Sequence, residues 1–482
     1  MSQPQASRSL STVAPVEIDG SCRVPLLLLF FSAGCWLLAG SAFALIASIK
    51  FHSPGFLADP AWLTYGRVRP AYVNCALYGF CIQAGLGVGL WMLARLGRTT
   101  LAQSGLVVIG TLVWNVGLAL GILGILAGDS TGFESLEMPG YAAWVLLVAY
   151  LPIGVSGGLT FHQRREREVY VSQWFILAAL FWFPWIYSTA ELLLVTFPVR
   201  GAAQVAIWGY YDANMGVTWL TLVGLAALFY FIPKLTRHDL HSRYSALLVF
   251  WLVILFIGCV GIANSAPLPV WMSALSTVAT MVMAAPIVTV IVILHQTLGG
   301  KWSKLAACPP LQFMAAGLLA LVVVWLARII CAGIDVSYPV GLTWLTVAQA
   351  QLNSYGFFCL VMFGAAYAIL PWLTRSELPF PALVRAHFWF ALLGVLLSVV
   401  PLAIGGMGEA RRLHDPSIPF MAVVKSTLPF LRVSTVGDLL LALGHLLFLV
   451  NVAGLAVRFY RPRAAAALAA ATADLSTVEV KR

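Results

Sequence analysis

Runs of about twenty apolar residues recur along the whole chain. Each is long enough to cross the ~30 Å hydrocarbon core of a bilayer as a helix. Nothing constrains the fold more, because a backbone in lipid must satisfy its own N–H and C=O groups. Twelve segments qualify: 25–49, 71–95, 101–127, 141–161, 170–197, 202–232, 245–265, 270–297, 311–333, 341–372, 385–406 and 434–458. Only 10% of the 482 residues are charged, against roughly 25% in soluble globules. The reading is an all-α, polytopic membrane protein of twelve transmembrane helices. The stretches between spans are too short for a soluble domain.

The membrane domain is placed at 23–460. Residues 1–22 are polar and expected to be a disordered cytoplasmic N-terminus. Arg23 leads straight into a full-length span, which is no cleavable-signal pattern. Residues 461–482 are expected to be a cytoplasmic Ala-rich tail, frayed at its end. One face of the predicted topology receives both termini and 19 of the 28 Lys and Arg residues. The positive-inside rule then puts both termini in the cytoplasm of a bacterium, with the protein in its inner membrane. The net charge of +10 reads as insertion bias and anionic-lipid contact, and nucleic acid is not an expected partner.

The eight cysteines are scattered, with no CxxC and no CxxCH for covalent haem. They read as small apolar packing residues. No two histidines stand four apart within a span. His238 and His241, in KLTRHDLH, read as a solvated interfacial face.

Local sequence carries a resemblance. YGRVRPAYVNCALYG at 65–79 enters the second span, and GDSTGFESLEMP at 128–139 is an acidic loop after the third. WGYYDANMGVTWLT at 208–221, GIANSAPLPVWM at 261–272, AQAQLNSYGFFCLVMFGAAYAILP at 348–371 and GDLLLALGHLLFLVN at 437–451 follow in order. Together they resemble subunit I of the haem–copper oxidases, in particular the C-family (cbb-type) cytochrome c oxidases. The resemblance implies that fold, together with two haems b, a copper ion and reduction of oxygen or nitric oxide between copper and iron. Partners implied are the lipid bilayer, other oxidase subunits and cytochrome c subunits.

Carried over one residue at a time, the implied ligand positions hold no histidine. The six-coordinate haem's ligands fall on Tyr72 in the second span and Gln351 in the tenth, and the second haem's ligand on Gln349. The copper ligands fall on Ala213, Ala263 and Asn264, and the redox tyrosine on Ile257. Haem iron takes imidazole, thiolate, thioether or phenolate, and copper wants nitrogen or sulfur donors. The expectation is therefore a pseudoenzyme with neither haem nor copper, acting as a structural or assembly partner of a respiratory complex, beside cytochrome c subunits or an active subunit I paralogue. Two alternatives stay open: an active oxidase or nitric oxide reductase with atypical ligands, and a small-solute or ion transporter using the former haem pockets.

Ionisable groups inside spans are costly in lipid and hence candidates for function. Glu191 and Arg328 are such groups, Glu191 reading equally as part of a proton path or as an interhelical contact. Asp212 and Asn214 flank Ala213, and Asp212 is expected to bond Gln349 or Asn264 in a polar cavity cluster. Arg67 and Arg69 are expected to meet a propionate, a lipid phosphate or Asp59. Asp129, Glu134 and Glu137 read as a cation or partner contact, or as a solvated loop.

Overall fold

The computed structural model describes residues 13–262, 264, 266–300 and 302–479. Among the described residues, eleven helices are long and apolar enough to span a membrane. They are α1 (Pro15–His52), α2 (Tyr65–Leu96), α3 (Ser104–Ala127), α4 (Gly140–His162), α5 (Val171–Thr196) and α6 (Ala202–Thr236). After them come α8 (Val270–Leu298), α9 (Pro309–Cys331), α10 (Trp344–Thr374), α11 (Pro381–Leu413) and α12 (Phe420–Ala465). The shorter α7 (Arg243–Cys259) is the twelfth, about 25 Å long at 1.5 Å per residue. It stops early because Gly261 takes a left-handed φ of 105°, with Pro267 and Pro269 following. The chain is an integral all-α membrane bundle.

Three helices form the centre. In the most apolar window of α2 every residue is buried, and in α6 and α10 the share is 89%, against 50% or less in the other long spans. These three carry Tyr72, Asp212, Ala213, Gln349 and Gln351. The outer helices show one face to lipid, with Leu123, Phe181, Leu255 and Leu319 all exposed. Close approach between α11 and α12 needs Gly437, where an added Cβ would stand 2.4 Å from the backbone nitrogen of Ser398. Small residues at helix crossings supply the packing that lipid-solvated helices otherwise lack.

The chain corrects the expected termini. Residues 15–22, expected to be disordered, are helical: Pro15 opens α1, a position where proline's missing N–H is harmless. Asp19 then holds that end down, accepting from Trp91 Nε1 at 3.1 Å and Arg95 Nη2 at 2.8 Å. At the other end the last helix continues to Glu479, because the Ala-rich run is strongly helix-forming.

Each of α2, α5, α6 and α10 contains a π-helical stretch: Cys75–Cys81, Glu191–Thr196, Asn214–Trp219 and Leu352–Cys359. Every one begins within three residues of a candidate site residue, or at one. Such widened turns concentrate at functional sites.

Candidate functional site

Two cavities lie side by side among these helices. The smaller, about 240 Å³, is lined from α1, α2, α10, α11 and α12, with Tyr72, Gln351, Asp438 and His445 on its walls. The larger, about 720 Å³, is lined by Asp212, Ala213, Gly261, Arg328, Gln349 and Asn353, among others. Arg69, Tyr72, Trp344, Val347, Gln351 and Tyr355 belong to both linings and form the wall between them.

The candidate residues are only partly brought together. Tyr72 and Gln351, from α2 and α10, do share one cavity. Gln351 Oε1 is buried without a hydrogen-bond partner among the described residues. Gln349 Nε2 reaches Cys331 Sγ at 3.5 Å. The expected hydrogen-bonded cluster of Asp212, Gln349 and Asn264 does not form. Asp212 instead accepts from Ser135 Oγ at 2.8 Å, because loop 128–139 folds down over α6. Asn264 donates to Ser337 Oγ at 2.7 Å and to the Ala332 carbonyl at 3.3 Å. Asn214, fully buried, accepts from Trp182 Nε1 at 3.0 Å and donates to the Tyr210 and Gly258 carbonyls. Ala213 packs beneath Gly261 so closely that a Cβ there would meet its own at 2.3 Å. Ala263 lies outside the described residues.

Of the ionisable candidates, Asp212 and Arg328 line the larger cavity, whereas Asn214 and Glu191 lie outside both linings. Arg328 Nε has no hydrogen-bond partner among the described residues, and its guanidinium sits 5.9 Å from the Trp325 ring. Glu191 opens a π-helical stretch, is fully buried, and has both carboxyl oxygens unpartnered among the described residues.

Of the loop acids, Asp129 is exposed, Glu134 is half-buried and Glu137 is buried. Arg69 pairs with Glu134 at 2.5 Å, and not with Asp59, while Arg67 donates to the Leu126 carbonyl at 3.1 Å. Glu137 is buried and accepts from Asn74 Nδ2 at 2.7 Å. Tyr78 donates to the Ser135 carbonyl at 2.6 Å, and the Tyr211 hydroxyl lies within hydrogen-bonding distance of both the Tyr78 hydroxyl and that carbonyl. The loop is thereby stitched to the centre of the bundle.

Burial pushes the Glu137 carboxyl from its ordinary 4.5 up to about 7, against the lowering pull of its Asn74 hydrogen bond. Between those pH values the folded chain holds a proton that the unfolded chain has lost. Stability therefore falls as pH rises from about 4.5 to about 7, by about 1.4 kcal/mol per unit, and levels off above. Glu137→Gln is expected to abolish that slope in thermal melts of detergent-solubilised protein between pH 4.5 and 8. An unchanged slope would mean that another group carries it.

The donors on the walls are few. The smaller cavity has one imidazole, His445. The larger has one thiol, Cys81, and no imidazole among the described residues. Among the described residues no three His, Cys, Asp or Glu side chains are grouped to hold a metal ion.

A family model described as cytochrome c and quinol oxidase polypeptide I matches residues 24–440. The chain belongs to that family. Among curated relatives, the cytochrome c oxidase subunit 1 homolog, bacteroid, of Bradyrhizobium diazoefficiens is 25% identical, over 92% of this chain and 84% of the relative. The cbb3-type cytochrome c oxidase subunit CcoN1 of Stutzerimonas stutzeri is 22% identical, over 86% of this chain and 91% of its own length. A solved structure of a heme-copper terminal oxidase dimer superposes with a TM-score of 0.75 at 14% identity, covering 90% of this chain and 84% of that one. At that identity the likeness speaks for the fold. Haem–copper oxidase subunit I proteins normally bind haem and copper, and work in the membrane with other oxidase subunits.

Sequence reasoning reached Tyr72, Gln349 and Gln351 through the resemblance. It did not single out Asp438 or His445, although both line the smaller cavity. Their seven-residue spacing, two turns along one helix face, was the available signal.

Proposed function

We propose that this subunit I homologue does not reduce oxygen, and that its membrane body is a structural or assembly partner within a respiratory complex. The observation that carries the reading is the donor chemistry of the larger cavity, where Ala213 and Gln349 stand and no imidazole among the described residues lines the wall. In the smaller cavity a phenol and an amide, Tyr72 and Gln351, occupy the positions the resemblance assigns to axial ligands. An amide oxygen is a poor donor to ferrous iron, and alanine is none. These residues do not fit two haems and a copper ion, and no step of oxygen chemistry is derived through them. What the chain retains is the bundle. On this reading its partners are cytochrome c subunits or a ligand-complete copy of subunit I, in a bacterial inner membrane with both termini cytoplasmic.

A second reading has its own support. Interiors are normally packed to crystal-like density, so cavities of about 240 and 720 Å³ favour a bound small solute. The test of the main reading is spectroscopic. Protein purified from its native membranes is expected to show no Soret band and no pyridine haemochrome, and to co-purify with other oxidase subunits. Stoichiometric haem in a monodisperse sample would overturn the proposal.

A further inference from the structure

The smaller cavity carries chemistry that a purely structural subunit does not need. Its walls include the rings of Phe51, Tyr65, Tyr72, Trp344 and Tyr355. Phe51 meets Trp344 edge-on at 4.7 Å and Tyr65 at a tilt at 4.9 Å. A carboxyl group, Asp438 of α12, lines the same space. Among the described residues no basic side chain pairs with it. Arg69, on the wall shared with the larger cavity, is already engaged by Glu134.

Two turns along α12, His445 is 1% exposed and also lines the cavity. Its tautomer follows from Ser41. That hydroxyl has one proton, which it donates to the Leu37 carbonyl at 2.8 Å. With that proton on the carbonyl, its contact with His445 Nδ1 at 2.7 Å is assigned the other way, with Nδ1–H donating. In that tautomer its Nε2 is an acceptor, without a hydrogen-bond partner among the described residues. Gln351 Oε1 is a second acceptor in the same condition.

A half-buried carboxyl, two unpartnered acceptors and a set of aromatic faces are the complement of a positively charged hydrogen-bond donor. Aromatic faces attract cations most strongly where water is excluded, and a carboxylate in low dielectric adds to that attraction. We infer that this cavity binds a small organic ammonium group, its charge against Asp438 and its substituents against the rings of Trp344, Phe51 and Tyr355. As the cavity stands, its volume, below the ~300–1,000 Å³ of drug-sized pockets, suits a ligand of a few heavy atoms or the head of a larger molecule. The inference rests on the reading that haem does not fill this space.

The test uses the full chain in phosphatidylglycerol nanodiscs, titrated calorimetrically with ethylammonium or tetramethylammonium chloride, with sodium chloride as control. A Soret spectrum is taken on the same sample. Saturable binding of an ammonium ion but not of sodium is expected. Asp438→Asn should weaken it at least about tenfold, and Trp344→Leu several-fold. Both variants are first checked for wild-type thermal unfolding, and each stands in for the other if one fails to fold. Lower affinity in discs containing phosphatidylethanolamine would identify a lipid headgroup as the occupant, and unchanged affinity a free amine. In a haem-free sample, absence of saturable heat, or full binding by Asp438→Asn, overturns the ammonium site alone. A stoichiometric Soret band would instead bring down the reading beneath it.

Discussion

Changing Tyr72 and Gln351 together to histidine is expected to turn a colourless protein red. The two side chains come from different helices, α2 and α10, and line one cavity, so imidazoles there would offer a six-coordinate haem its axial pair. Bis-imidazole ligation is strong, whereas phenolate with an amide opposite is not. The double variant is expected to take up about one haem per chain, read by pyridine haemochrome and by reduced-minus-oxidised spectra. Either single variant should bind far less, because one strong donor leaves the other axial face to a weak one. Failure of a well-folded double variant to bind haem would show that the surrounding walls, and not only the ligands, exclude the macrocycle. Haem already present in the unmodified protein would defeat the prediction from the opposite side.

The largest single loss of stability is expected at Asp19. Its carboxylate is 5% exposed and takes hydrogen bonds from Trp91 and Arg95. The Arg95 guanidinium also lies 5.3 Å from the Trp91 ring, and its Nε is buried with no partner among the described residues. Removing the acid leaves a largely enclosed cation uncompensated, a change that costs roughly 3–5 kcal/mol at buried pairs. The damage should spread, because Trp91 stacks on Phe231 of α6 and Trp372 of α10. Asp19→Ala is expected to lower the thermal midpoint in detergent well below that of Asp19→Leu combined with Arg95→Met, in which no charge is stranded. Equal midpoints for the two would show that the pair contributes only packing.

Much of this fold was legible in the residues, for a reason particular to membranes. Lipid removes every backbone solution except the helix, so hydrophobic length alone located the spans. Errors came where length is not the deciding quantity. The start of α1 was missed because its polar first turns are held by Trp91 and Arg95, more than seventy positions away. The end of α7 was set too late, since its apolar run continues past the point where Gly261 turns the backbone. At the site, the cavity-facing places of Tyr72 and Gln351 followed from the resemblance. The partnership of Asp212 with Ser135 did not, because a loop's fold over the bundle leaves no periodic trace. Nor did the π-helical stretches, which have no compositional signature in α2, α5, α6 or α10.

Those widened turns have a mechanical consequence. A π-helical turn houses one residue more than an α-turn, and the surplus can pass to the neighbouring turn while the rest of the helix stays hydrogen-bonded. Each such hop would rotate the intervening residue by about 100° and advance it by about 1.5 Å. In α2 and α10 the stretches begin within three positions of Tyr72 and Gln351. The wall dividing the two cavities is thus carried on helices able to re-aim a side chain by local slippage, without displacing either helix as a rigid rod.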